Sequence, residues 1–448
     1  MTDYNAPTRD MRFILEHVLP QDNGVDTPDA ELMTAILDEA AKLARDVIAP
    51  LNSTGDKQGC QLSNGNVKTA DGFQDAYARY RDNGWNSVPF DEEIGGQGLP
   101  WSLAYAVQEM WQSACMSFGL CPMLNQSAVE ALETHGSDDQ KATYLSKMVT
   151  GEWTGTMNLT EPQAGSDLSA VKTKAVRQED GSYKITGQKI YITYGEHDLA
   201  ENIIHMILAR TSGAPDGVKG LSLFLVPKFI PDDKGTFSQQ NDLVCSGIEH
   251  KLGIHASPTC TMQFGDRGGA TGWLVGEEYD GLKLMFTMMN NARLAVGLQG
   301  VAISERACQQ ALSFANDRVQ GRPLSDQDGK GTERVSIIHH PDIRRMLMEM
   351  QSRIQAGRAL AYEAAAAMDQ ARNGDLAASA YMDLLTPVVK AWCTDNALSV
   401  TSMAIQIHGG MGFIEETGIA QHYRDARILS IYEGANGIQA NDLVFRKI

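Results

Sequence analysis

At 448 residues the chain is too long for one core of about 100–200 residues, so two or three structural units are expected. Its composition, 43% hydrophobic and 21% charged, is that of a folded soluble enzyme rather than a disordered chain. A formal charge of −18 with pI ≈ 5.0 argues against nucleic acid and anionic membrane as partners, and any anionic ligand needs a local basic site.

The N-terminal MTDYNAPTRDMRF carries charges where a signal peptide needs an apolar core, and no later run of about 18 residues is both apolar throughout and free of charge. A cytoplasmic protein is expected. From Asp29 to about Trp153 the spacing is helical: AELMTAILDEAAKLARDVIAPL repeats apolar residues at three and four positions, and Pro50 is expected to stop it. LAYAVQEMWQSACMSFGL behaves alike. Between them DEEIGGQGLP is glycine-rich but has no Gly-Lys-Ser/Thr and no preceding apolar strand, so it reads as an interhelical loop rather than a phosphate loop.

From about Thr154 to Gly276 the period changes. YKITGQKIYITYG alternates around a glycine, IIHMILART and LSLFLVPKF are short branched runs, and PTCTMQFGD follows. No helix-length segment separates these runs, so an antiparallel barrel or sandwich is expected, not a doubly wound sheet. From about Asp280 three long helical segments return, the third expected to kink at Pro387, and a four-helix bundle fits them. The fold is therefore read as α+β: an N-terminal helical domain (1–155), a middle β domain (156–278) and a C-terminal helical bundle (279–448). The cysteines Cys60, Cys115, Cys121, Cys245, Cys260, Cys308 and Cys393 are scattered, without a C-x-x-C or a histidine at metal spacing. The adjacent His339 and His340 cannot share an ion as an i, i+4 pair could, so no metal is expected.

Three segments carry polar or glycine-rich features with two readings each. MNLTEPQAGSDLSAVKTKA follows a strand end with a loop whose N–H groups and hydroxyls either face a ligand or cap a turn. QIHGGMGF ends a long helix with Gly409-Gly410, which serves either close approach to a diphosphate or a simple C-cap. In ILSIYEGANGIQANDL, Glu433 stands between an apolar run and a Gly-Ala-Asn-Gly turn. It is either a turn residue or a base.

Together these segments resemble the acyl-CoA dehydrogenases, flavoproteins that oxidise acyl-CoA thioesters to 2-enoyl-CoA. TEPQAGSD, GQKIYIT, KLGIHASPT, NNARLAVG, QIHGGMGF and IYEGANGIQ occur in the family's order and spacing from about Gly84 to the end. RDMRFILEHVL, GGQGLP, GEWTGTM, GEHDLAENI, FLVPKF and FTMMNNARL are similar to the branch containing 3-(methylthio)propanoyl-CoA dehydrogenase. The resemblance implies FAD, an acyl-CoA substrate, an electron-transfer flavoprotein as acceptor and a homodimer or homotetramer. It implies that Met157, Leu159, Thr160 and Ser166 meet the flavin, with Tyr191 stacking on it and Thr193 bonding its N5 edge. It implies that Arg318, Gln406, Gly409 and Gly410 reach the FAD pyrophosphate and adenosine from a neighbouring subunit. Ser166, Arg293 and Gly434 would serve the substrate, with Arg293 near the CoA end. Glu433 would be the catalytic base, with apolar surroundings raising its pKa toward working pH.

Some positions depart from the pattern. Ala435 and Gly437 replace a Thr and a longer polar residue, Tyr191 stands where Trp is frequent, and RVQGR lacks the usual Phe before Gly. Branch members usually continue past the catalytic motif, so a further C-terminal domain or a shorter variant is expected here. An acyl-CoA oxidase and a non-catalytic flavin or acyl-CoA scaffold are the competing functions, and the acyl group itself is not legible.

Overall fold

The computed structural model describes residues 4–19, 27–232, 234–323 and 333–448, so the first three residues of the charged N-terminal stretch lie outside it. The helical periodicity becomes α1 (Thr8–His17), α2 (Ala30–Leu43), α3 (Leu51–Gln58), α4 (Phe73–Asp82), α5 (Trp101–Ala114), α6 (Met116–His135), α7 (Asp138–Gln140) and α8 (Ser146–Thr150). Asp29 begins α2 by accepting the Leu32 N–H, one of the donors that a helix start leaves unpaired. The helical run that opens with α2 ends at Ile48, just before Pro50, as expected. Pro50 caps α3, where its missing N–H costs nothing. The alternation of CQLSNGNVK makes a small hairpin that the helical reading passed over, β1 (Gln61–Ser63) with β2 (Asn66–Lys68). Its turn is Asn64–Gly65, both with positive φ, the hairpin signature of Asn-Gly.

DEEIGGQGLP is an interhelical loop leading into α5. Every residue of α5 is buried, as is α6 from Met116 to Leu132, because these helices are covered on all sides. Gly155 of the sheet lies against Ala128 of α6, while Ser127 on the same helix donates to Asn291 of the bundle at 2.9 Å. α6 is thus the layer between sheet and bundle.

The sheet contains β3 (Trp153–Asn158), β4 (Lys174–Arg177), β5 (Tyr183–Thr193), β6 (Asn202–Thr211), β7 (Ser222–Pro227), β10 (Leu243–Ile248), β11 (Thr259–Phe264) and β12 (Ala270–Val275). β8 (Phe229–Pro231) and β9 (Phe237–Gln240) pair apart. The order is β10-β11-β5-β12-β7-β6-β3, and β4 pairs with both β5 and β6, closing a ring of β5, β12, β7, β6 and β4. Ile185, Ile207, Phe224 and Val226 fill it. One expectation is corrected: β6 runs parallel to β3 and to β4, so the sheet is mixed. A parallel pair needs a crossover, ordinarily a helix. Here the crossover from β3 to β6 is made by the sheet's own strands β4 and β5, which a search for intervening helices cannot see.

The bundle consists of α9 (Gly281–Asp317), α10 (Pro341–Arg372) and α11 (Leu376–His408), followed by the short α12 (Ile419–Ala426) and α13 (Asn436–Asp442). Pro387 lies within α11, and the Thr386 hydroxyl donates back to Met382 O at 2.8 Å. Two glycines set how closely α9 and α11 approach. A Cβ on Gly297 would stand 2.5 Å from Val389, and one on Gly300 2.6 Å from the Cys393 carbonyl. Farther on, Phe314 stacks on His408 at 4.3 Å, so the two helices run side by side in the same direction. Among the described residues no helix is long and apolar enough to cross a membrane.

A buried ion cluster locks α10 to its neighbours. Arg358, fully buried, donates to Glu109 of α5 at 2.7 Å and to Glu305 of α9 at 2.8 Å, and the Tyr362 hydroxyl donates to Glu109 at 2.7 Å. Breaking such a cluster from one side strands the remaining charges in low dielectric. Arg358→Met should cost about 3–5 kcal/mol. A lowered urea midpoint with an unchanged slope is the expected reading, and an unmoved midpoint would contradict it.

Candidate active site

After α12 the chain makes a tight turn before α13, and in it both Glu433 (φ 55°) and Gly434 (φ 84°) have left-handed backbone. Such geometry costs a residue with a side chain about 1–3 kcal/mol and persists only where its surroundings enforce it. Here the buried Gln439 donates Nε2 to the Gly434 carbonyl at 3.0 Å and to the Glu433 carbonyl at 3.3 Å. The Asn436 N–H reaches back to Ser430 O at 3.2 Å. A side chain at Gly434 would be strained by φ 84°, and its Cβ, 2.7 Å from Gln439 Nε2, would displace the amide that holds the turn. Tyr432 donates its hydroxyl to Gln299, whose Nε2 donates to Gln112 at 3.1 Å, anchoring the turn to α9 and α5.

Glu433 is half-buried. Burial pushes its carboxyl up to about 7, against Arg293 of α9 and Lys390 of α11, which favour the carboxylate. A carboxyl ionising there is matched to proton abstraction at neutral pH. Arg293 is only 4% exposed, so it is no solvated helix arginine. It lies 3.6 Å from Asp442, donates to Asn290 Oδ1 at 3.3 Å and stacks over Phe286, while its Nε has no partner among the described residues. The Glu433 N–H likewise donates to no acceptor among the described residues. By contrast Glu415 and Glu416 sit exposed in a short 3-10 turn, Glu415 paired with Arg424 at 3.2 Å.

The sheet side brings a second group together. Met157 lies one residue before the end of β3, half-buried, Leu159 is buried, and the Thr160 carbonyl accepts the Ile190 N–H at 2.9 Å. Lys189 stands opposite Met262 and Ile192 opposite Cys260, so Ile190 and Tyr191 form a β-bulge. Tyr191 takes φ 60° there and is 60% exposed. A bulge re-aims a side chain, and this one turns an aromatic ring out of the ladder with most of its surface free. Thr193 is half-buried two residues on, its carbonyl accepting the Thr156 hydroxyl at 2.8 Å. Ser166 is exposed in the loop after Thr160.

Arg318, Gln406, Gly409 and Gly410 are all exposed at the shared end of α9 and α11. Arg318 lies about 37 Å along the helix from Arg293, at about 1.5 Å per residue. Within one chain the two groups are far apart. Gly409 follows α11 with φ 60° and ψ −138°, backbone that glycine alone adopts readily, and a Cβ on either glycine would meet nothing within 4 Å.

Three consecutive blocks of the chain match family models: the acyl-CoA dehydrogenase N-terminal domain over residues 31–152, the middle domain over 156–267 and the C-terminal domain over 279–447. The chain belongs to the acyl-CoA dehydrogenase family. A curated relative, 3-methylmercaptopropionyl-CoA dehydrogenase of Ruegeria pomeroyi, is 53% identical over 99% of this chain and 76% of its own length. Butyryl-CoA dehydrogenase of Syntrophomonas wolfei is 37% identical over 99% of this chain and 76% of that protein. Among solved structures, butyryl-CoA dehydrogenase of Megasphaera elsdenii aligns with TM-score 0.77 at 25% identity, covering 94% of this chain and 98% of that one. The chain is thus an oxidoreductase that desaturates acyl-CoA thioesters.

Within this acyl-CoA dehydrogenase, sequence reading missed the residues that hold the site's shape. Glu161 is buried and its carboxylate accepts from Lys189 at 2.8 Å, the Thr173 hydroxyl at 2.6 Å and the Lys172 N–H at 2.7 Å. It organises the whole TEPQAGSD loop from within. Burial opposes its charge, but Lys189 and these hydrogen bonds prevail and hold the carboxyl below its ordinary value. Its partners lie up to 28 residues away, and the one available signal was an acid in a turn followed by a lysine inside an apolar strand. Gln439, Asn436 and Lys390 gave no signal beyond helical spacing.

Burial of Glu433 has a pH signature. Its folded carboxyl stays protonated up to about 7 while the ordinary value is 4.5, so between these the unfolded chain holds fewer protons and stability falls as pH rises. The whole effect is at most about 3 kcal/mol, at about 1.4 kcal/mol per unit. Glu433→Gln should flatten the decline in melting temperature between pH 5 and pH 7, and parallel curves for parent and variant would contradict it. Glu161→Gln, which leaves Lys189 buried without its carboxylate, should destabilise by about 3–5 kcal/mol at neutral pH in the same assay.

Proposed function

We propose that this enzyme oxidises 3-(methylthio)propanoyl-CoA and straight acyl-CoA esters of similar size, with Glu433 removing the α-proton. The observation that carries this reading is the half-buried Glu433 carboxyl, pushed up to about 7, in a left-handed turn beside a buried arginine. The substrate is supported by the 53% identity to a protein named for that thioester. Glu433 takes the proton. Its own N–H is free to donate to the thioester oxygen, where negative charge develops as the α-proton leaves. Gly434 leaves room beside the base, and Arg293 supplies the local positive charge that CoA phosphates need on an acidic protein, with Ser166 at the exposed loop as a further substrate contact.

The sheet-side residues fit a flavin. Tyr191 offers an exposed ring on a bulge tied to Thr160 through the Ile190 N–H, with Thr193 two residues on, an arrangement suited to a flat ring system, and Met157, Leu159 and Ser166 lie on β3 and the loop that follows it. FAD bound there would supply the acceptor for the β-hydride. Arg318, Gln406, Gly409 and Gly410 would reach the adenosine half of FAD seated in a second copy, which makes the enzyme a homodimer or homotetramer. The electrons then pass to an electron-transfer flavoprotein, in the cytoplasm.

The test is anaerobic bleaching of the bound flavin by a panel of acyl-CoA esters. 3-(Methylthio)propanoyl-CoA should bleach it and palmitoyl-CoA should not, whereas a preference for long or branched chains would overturn the substrate assignment. Glu433→Gln should lose about 10²–10⁴-fold in the rate of bleaching. A like loss in Glu415→Gln or Glu416→Gln instead would move the base. Dilution that dissociates the oligomer should release flavin, and a monomer retaining one FAD per chain on gel filtration would contradict the shared site.

A further inference from the structure

Lys390 is fully buried on α11, at the level where Gly297 lets Val389 press against α9. A buried ammonium is costly unless charge or hydrogen bonds compensate it. Its Nζ donates to Asn436 Oδ1 at 2.8 Å, a neutral amide, and among the described residues it makes no ion pair within 4 Å. That amide belongs to the turn of Glu433. Asn436 Nδ2 donates in turn to Asp395 Oδ1 at 2.7 Å, to Thr394 Oγ1 at 3.0 Å and to the Ala391 carbonyl at 3.3 Å. One turn of α11 therefore grips a single side chain three positions after the base.

Resting on the assignment of Glu433 as base, we propose that Lys390 is a positioning residue: it pins the turn that presents Glu433 and supplies its carboxylate with a second positive charge. The groups that act on Glu433 or on its two neighbouring cations can be named element by element. α9 brings Arg293, α11 brings Lys390 and beyond it Asp395, the turn itself brings Tyr432, and α13 brings Asp442, with Arg446 following it. Arg293 has its own acid in Asp442 at 3.6 Å, and that acid also takes Arg446 at 3.3 Å. Lys390 has no such acid at ion-pair distance, so its charge is left for Glu433. Burial pushes the Lys390 ammonium down to about 8, with Glu433 foremost among the charges holding it up. Base and ammonium are therefore charged together between about pH 7 and about pH 8.

The test uses the FAD-loaded enzyme with Lys390→Met, Lys390→Arg and Asn436→Ala. Two readouts are taken: the pH profile of anaerobic flavin bleaching, and the infrared titration of the Glu433 carboxyl, identified by its absence in Glu433→Gln. Lys390→Met should raise the carboxyl's midpoint by about one unit or more and move the acid limb of the rate profile with it. At neutral pH, where the parental carboxyl is half ionised, that is about a fivefold loss, recovering as pH rises. Lys390→Arg should keep the parental midpoint. Asn436→Ala should keep the midpoint while bleaching slows at every pH. A midpoint unmoved in Lys390→Met overturns the proposal, even if the rate falls, and leaves the role of Glu433 intact. Bleaching that persists in Glu433→Gln would instead remove the reading on which the proposal stands. Because the infrared titration needs no turnover, it decides the matter for any variant that folds.

Discussion

Taking the Glu433 carboxyl half out of water costs free energy, and much of the C-terminal half of the chain is disposed around that cost. Two buried cations, Arg293 and Lys390, recover part of it. They can do so because small residues in α9 let α11 come close enough to present a lysine beside the turn. The left-handed backbone at Glu433 and Gly434 is a second expense, met by Gln439 and Asn436 through hydrogen bonds to the turn's own carbonyls and to α11. The result is a carboxyl whose ionisation is set near neutrality, burial raising it and the two cations drawing it back.

The sheet side follows the same logic with different means. A buried carboxylate, Glu161, pulls a polar loop into one shape, and a bulge in β5 turns Tyr191 away from the ladder. α6 holds the two sides together: Asn125 accepts the Gly155 N–H at 2.9 Å, and Ser127 donates to Asn291 at 2.9 Å. Left-handed backbone at Tyr191 and Glu433, the exposed Tyr191 ring and the unpartnered Arg293 Nε stand where a ligand would sit.

The three-part division was legible because it rests on local pattern, whereas Glu433 stood out only through the family resemblance of its Tyr-Glu-Gly step. Helical spacing, strand alternation and the Tyr-Glu-Gly step survive any tertiary arrangement. What was hidden depends on register or on distance. The extra residue at Ile190–Tyr191 leaves the apolar alternation of KIYIT intact, so its bulge is invisible until β11 is paired. The parallel pairing of β3 with β6 depends on a crossover built from strands. Lys390 reads as one polar residue in an apolar helix, and only the approach of Asn436 from 46 residues away gives it meaning. The Asn64–Gly65 hairpin is a different case, since its signal was present and the surrounding helical pattern obscured it.

The central claim is that the α-proton leaves to Glu433 in the step that reduces the flavin. Deuterium at C2 of 3-(methylthio)propanoyl-CoA, followed by anaerobic single-turnover bleaching at pH 8, tests it directly, because only a bond broken in the rate-determining step carries a primary isotope effect. Slower bleaching of the deuterated thioester by the parent, with Glu433→Gln too slow to follow on that timescale, is the expected result. Equal rates for the two thioesters, together with bleaching in Glu433→Gln at the parental rate, would contradict it.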